Sequence, residues 1–127
     1  MGRLITARAL FDSTIVIDAL RGIRPAVAVL DAHEDRAISI ITWIEVLAGV
    51  IPTHEATTTA LLRSFKRLEL TAEVTEATIF VRRRTRLKIP DAIILASAEV
   101  ENRVLLTRDG RDFGRLSDER IVIPYRL

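Results

Sequence analysis

Apolar residues along the chain fall into short blocks with two different periods. Ala37-Ile38-Ser39-Ile40-Ile41, Val104 to Thr107 and Ile121 to Ile123 are compact and largely β-branched or aliphatic. Such runs predict buried strands. Ala9 to Phe11 and Leu68 to Leu70 are shorter blocks of the same kind. Between them the spacing turns helical. Asp12-Ser13-Thr14 is a helix-start signal ahead of Ile15, Val16, Ile17, Ala19 and Leu20, with a stop near Gly22. Pro25 suits the first turn of a second helix carrying Val27, Val29 and Leu30. Thr42 is placed to cap a third, with Glu45 at capping-box spacing and an end near Gly49 and Pro52. Thr53 to Lys66 predicts a helix with Ala56, Ala60, Leu61 and Phe65 on one face. Thr71 opens another, running to about Leu87, and Ile89 to Asn102 predicts the last. Arg108 to Gly114 reads as a turn.

Short buried strands separated by helices predict an α/β fold, a parallel sheet of four or five strands with helices on both faces. No linker or internal repeat divides the chain, so residues 1–127 are expected to form one domain. In such sheets ligands bind outside the carboxyl ends of the strands. Acidic residues recur at those ends. Asp12 follows the first strand, Glu45 lies one helical turn past the second, and Asp109 and Asp112 follow the fourth. Asp91 begins the apolar helix IPDAIILASA that feeds the fourth strand. Each has an ordinary alternative: Asp12 and Asp91 as helix caps, Glu45 as a capping-box partner, Asp109 and Asp112 as turn residues. Together they fit that reading less well, because caps scatter over both edges of a sheet.

Converged carboxylates carry a cost. Two charges ~4 Å apart repel by roughly 4 kcal/mol at an effective dielectric of about 20, so a cluster calls for a cation. Hard oxygen donors without cysteine or a histidine cluster select Mg²⁺ or Mn²⁺ over Zn²⁺. Such ions commonly serve phosphate chemistry, which makes metal-assisted phosphodiester hydrolysis the expected reaction class. Ser13, Thr14 and Thr107 lie beside the acids and suit orienting water or phosphate, or ordinary capping. His33 and His54 are expected in surface or capping roles, and Trp43 in the core or an interface.

Charge and composition narrow the partners. The net charge is only +2, but 17 of the 19 basic residues are arginine, whose flat fork matches phosphate. The densest basic run, Arg82, Arg83, Arg84, Arg86 and Lys88, reads either as a solvated helix surface or as a track for an RNA backbone. With no cysteine, disulfides and thiolate metal sites are excluded. No apolar run approaches the roughly 20 residues that span a bilayer. The N-terminal MGRLITARALFDSTIVIDAL is interrupted by two aspartates and lacks a small-residue cleavage site, so it is read as part of the fold. A cytoplasmic protein with no membrane partner is expected.

The four acidic blocks, in order, resemble a PIN domain, specifically the VapC-type toxin ribonucleases of prokaryotic toxin–antitoxin modules. LFDSTIVIDAL resembles the opening block, with Asp12 as the first acid and Ser13-Thr14 as its hydroxyl pair. ITWIEVLAGV supplies Glu45, KIPDAIILASA supplies Asp91, and LLTRDGRDFGRL supplies Asp109 with Asp112 in reserve. The resemblance covers essentially the whole chain. It implies a three-layer α/β/α fold and a Mg²⁺- or Mn²⁺-dependent endoribonuclease with Asp12, Glu45, Asp91 and Asp109 as catalytic metal ligands. It also implies a homodimer restrained by a VapB-type antitoxin, which lays a helix on the toxin and sends a basic side chain among the acids. Two departures are visible. The hydroxyl residues after Asp12 are swapped relative to the usual Thr-then-Ser order, and Asp109 stands where many relatives carry Asn. Two rival readings are a non-catalytic domain of the same fold that binds RNA or a partner, and an acid-cluster phosphatase. The phosphatase reading is weakened because no Asp-x-Asp pair follows the first strand.

Overall fold

The computed structural model describes residues 4–127. Five strands form one wholly parallel sheet: β1 (Ala9–Phe11), β2 (Arg36–Ser39), β3 (Lys66–Leu68), β4 (Val104–Leu106) and β5 (Ile121–Val122). The helices are α1 (Ser13–Leu20), α2 (Arg24–Ala32), α3 (Ile40–Ala48), α4 (Glu55–Arg63), α5 (Ala72–Thr85) and α6 (Ile89–Val100). Strand residues alternate between two cores. Leu10, Ala37 and Leu105 point into a cluster with Val74 and Val81 of α5 and the apolar face of α6. Ala9, Phe11, Ile38 and Leu106 point the other way, into residues of α1, α2, α3 and α4. The fold is therefore the expected three-layer α/β/α arrangement. The strands read as unbroken apolar runs because both of their faces are covered.

Sheet order is β3-β2-β1-β4-β5, so the chain builds outward from β1 in one direction and then returns to its other side. This reversal opens a crevice between the carboxyl ends of β1 and β4. There the Asp12 amide donates to the Leu106 carbonyl at 2.9 Å. Past β1 the chain enters α1 on one face, whereas the loop past β4 sends Phe113 into the core on the opposite face.

Several boundaries differ from expectation. The Ala37 to Ile41 block is cut at Ser39, whose hydroxyl accepts the Ile41 amide at 3.0 Å and caps α3. Ile40 and Ile41 thus start a helix, and Thr42 is buried inside it rather than capping it. The helix expected over 53–66 is shorter. A 3₁₀ turn at Pro52–His54 precedes α4, whose buried face is Thr58 and Leu62. Phe65 lies past its end, packed edge-on to Phe11. The next strand starts at Lys66, leaving Leu70 outside the sheet and exposed. Thr71 caps α5 as expected, accepting the Val74 amide at 3.1 Å.

The run in IPDAIILASA is explained by α6 lying between the sheet and α5. Every residue from Ala92 to Ala98 is buried. Ser97, its one polar member, donates to the Ile93 carbonyl at 2.8 Å. Lys88, not Asp91, occupies the cap position, and Asp91 is the third residue of the helix.

Candidate metal centre

Asp12 stands at the end of β1 and is 3% exposed. Although it occupies the cap position of α1, its side chain makes no cap hydrogen bond. Its Oδ2 instead accepts two hydroxyls, from Thr14 at 3.0 Å and Thr107 at 2.8 Å. Each of these threonines also accepts a backbone amide from the loop past β4: Arg108 to Thr14 at 3.1 Å and Asp109 to Thr107 at 2.9 Å. The two hydroxyls therefore couple the buried carboxylate to that loop and fix its orientation. Burial pushes the Asp12 carboxyl above its ordinary range, the hydroxyls of Thr107 and Thr14 oppose the rise, and the charge of Asp109 adds to it. Ser13 reaches both Asp12 (3.4 Å) and the exposed Glu45 on α3 (3.0 Å), so the second expected acid is tied to the first.

Three acids meet more closely. Carboxylate oxygens of Asp91, Asp109 and Asp112 all lie within 4.8 Å of one another. Asp109 accepts the amides of Arg111 and Asp112 on one oxygen, both at 3.0 Å, which folds the loop so that the second aspartate turns back toward α6. Asp109 thus forms the turn and still belongs to the cluster, and Asp112 joins it there. Asp91 is pushed up to about 6, first by burial and then by the charges of Asp12, Asp112, Asp109 and Glu45. The charges of the other four acids thus all act on Asp91. Asp12 and Glu45 flank the close triad without belonging to it. Such an all-oxygen, electrically strained set suits a hard divalent cation.

The basic run divides. Arg84 pairs with Glu99 of α6 at 2.8 Å. Arg86 ends α5 in the left-handed region (φ 62°), and Lys88 caps α6 three residues ahead of Asp91. The run's end thus leads in sequence into the helix that carries Asp91, whereas Arg82 and Arg83 lie back along the last turn of α5. His33 is turned inward, its Nδ1 2.8 Å from the Val29 carbonyl, and Trp43 stacks under Arg67. A groove between α1 and the α3–α4 corner is lined by Ile17, Leu20, Val46, Val50 and Ile51, with Glu45 also on its wall.

Sequence reasoning passed over Asp18, Arg108 and Tyr125. Asp18 is 1% exposed and accepts the Arg108 Nε, the Arg108 Nη2 at 3.0 Å and the Tyr125 hydroxyl at 2.7 Å. Burial alone would raise its pKa, but the bonds from Arg108 and Tyr125 outweigh that and hold it low. The available signal was an aspartate one helical turn after Thr14, in a helix otherwise apolar at its core-facing positions.

A family model described as the PIN domain matches residues 9–119. No curated protein gives a significant match. Among solved structures, a toxin–antitoxin complex from Klebsiella pneumoniae is 38% identical with a TM-score of 0.86, covering 94% of this chain and 99% of its counterpart. FitAcB from Neisseria gonorrhoeae is similar at 23% identity and a TM-score of 0.77, over 91% of this chain and 97% of that one. VapBC-5 from Mycobacterium tuberculosis, a member of the VapBC family of toxin–antitoxin systems, is 22% identical with a TM-score of 0.61, over 91% and 96%. At those two lower identities the likeness concerns the fold.

Proposed function

The chain belongs to the PIN-domain family, and from that premise we propose that it is the toxin of a toxin–antitoxin pair, a Mg²⁺- or Mn²⁺-dependent endoribonuclease. The observation that carries the chemistry is the Asp91, Asp109 and Asp112 cluster at the crevice between β1 and β4, with Asp91 pushed up to about 6. Asp12, Glu45, Asp91 and Asp109 are the proposed ligands, with Asp112 a fifth candidate. A bound divalent ion neutralises phosphodiester charge and makes water more acidic. The chain's own groups do the rest. Thr14 and Thr107 hold the Asp12 carboxylate in one orientation, and Ser13 ties Glu45 to it. Lys88, three residues ahead of Asp91, and Arg86 are the proposed contacts to an RNA backbone passing the acids, with Arg82 and Arg83 proposed to extend that track.

The partner is proposed to be an antitoxin, in line with the relatives' complexes. The groove lined by Ile17, Leu20, Val50 and Ile51 suits the apolar face of an antitoxin helix, and Glu45, one of the proposed ligands, shares its wall. On α5, Phe80 is 64% exposed beside Ile79, which supports a homodimer contact there. Among the described residues, no helix is long and apolar enough to cross a membrane.

The test is cleavage of RNA by the purified, antitoxin-free protein. Cutting in Mn²⁺ that stops with chelator and with Asp91→Asn is the expected result, together with growth arrest relieved by the neighbouring upstream gene. Tight RNA binding without cutting would assign the chain to a non-catalytic role. Hydrolysis of small phosphate esters but not RNA would make it a phosphatase.

A further inference from the structure

Two of the proposed ligands, Asp109 and Asp112, lie on a loop rather than on a strand or helix. Metal sites need their ligands held by surrounding contacts, and a loop does not supply these by itself. Arg108 opens this loop, directly after Thr107. It is gripped by α1 in two ways: its amide donates to Thr14, and its guanidinium forks onto Asp18 one helical turn further along the same face. Tyr125, beyond β5, donates to the same carboxylate at 2.7 Å. Asp18 therefore sits, buried, where α1, the acidic loop and the segment after β5 meet. Its charge is fully engaged by these partners, so it does not compete for a cation.

We propose that Asp18, Arg108 and Tyr125 form a clamp that positions the acidic loop, and that the site's affinity for a divalent ion depends on it. This rests on the metal-site reading above. Asp18 is a positioning residue, acting through Arg108 on Asp109 and Asp112. Outer-layer contacts of this kind typically change metal affinity by roughly 10–100-fold when lost.

Mn²⁺ binding to the RNA-free full chain, followed calorimetrically, tests the clamp. Asp18→Leu combined with Arg108→Met removes the ion pair without stranding a buried charge, an exchange that is often neutral for folding. It should weaken Mn²⁺ at least about tenfold, with faster amide exchange at Asp109 and Asp112. Arg108→Lys keeps the charge and the amide bond to Thr14 but loses the fork; it should show an intermediate loss and decides the matter if the double variant does not fold. Arg103→Met is the control. It breaks a buried arginine's bonds to Asp35 and the Ala9 carbonyl at the opposite end of the strands. That variant should lose thermal stability while keeping its Mn²⁺ affinity. Unchanged Mn²⁺ affinity in a folded clamp variant overturns the clamp alone. Failure of the wild-type chain to bind Mn²⁺ overturns both the clamp and the metal-site reading.

Discussion

Asp91→Asn should stabilise the metal-free protein while abolishing RNA cleavage. In the absence of an ion, Asp91 is held at about 6 against an ordinary 3.8, so keeping it ionised at neutral pH costs the fold. Two units correspond to about 3 kcal/mol. Two effects reduce this. Removing a negative charge from the first turn of α6 forfeits ~0.3–1 kcal/mol of interaction with the helix dipole, and water screens a half-buried carboxylate in part. The net gain is then roughly 1–2 kcal/mol, or a melting temperature raised by about 4–8 °C for a chain of this size.

The sign with pH follows from the raised value. The native state holds this proton more tightly than the unfolded chain, so the contribution of Asp91 to wild-type stability is fully present below pH ~4 and is lost as pH rises through ~6. Asn suffers no such loss. The variant's advantage should therefore be near zero at pH 4, grow between 4 and 6, and be constant above. Thermal melts by circular dichroism in chelator at pH 4, 5, 6 and 7.5 measure it. Excess Mg²⁺ should stabilise the wild type and not the variant. A lower melting temperature for the variant in chelator at pH 7.5, or a difference independent of pH, would refute the electrostatic reasoning.

Thr107→Val removes the shortest of the three hydroxyl bonds to Asp12 and strands the Asp109 amide. Mn²⁺ affinity should drop by roughly tenfold in a calorimetric titration. At Gly114 a Cβ would overlap the Gly110 carbonyl and lie 2.8 Å from its Cα. Gly114→Ala should therefore distort the acidic loop, costing about 1–3 kcal/mol in chemical denaturation and weakening Mn²⁺ as well. Lys88→Ala should weaken RNA binding and lower the salt slope by about one unit, with cleavage at saturating RNA nearly unchanged. Filter binding across salt concentrations separates these two effects.

The sheet, the helix order and the edge that carries the acids were legible because apolar blocks of two periods mark them directly. The stretch at 89–98 announced a buried helix through composition alone. Boundaries were less legible where one residue type serves two elements. Ile40 and Ile41 continue a β-branched run, yet Ser39 and Thr42 are equally good caps on paper, and packing chose Ser39. The same ambiguity made Glu45 look like a capping-box partner, although Ser13 from another helix holds it. Asp109 and Asp112 could not be ranked, since a turn that folds one aspartate's amide onto the other's carboxylate depends on loop geometry. Asp18 was the least accessible. Its partners lie 90 and 107 positions away, and no local pattern links an aspartate in one helix to an arginine and a tyrosine so distant.

The placement of β1 at the centre of the sheet sets an order of events during synthesis. Its neighbour β4 and the Thr107 hydroxyl that steadies Asp12 are encoded some 95 positions later. A nascent chain half-emerged from the ribosome carries Asp12 and Glu45, but neither Asp91 nor the loop that opposes it. Strand pairing across such a separation is slow, because the intervening chain must close first. The acids are assembled only once nearly all the described chain has been made and β4 has slotted in beside β1. The strand order thus builds in an interval during which the first two acids exist in the chain but the assembled cluster does not.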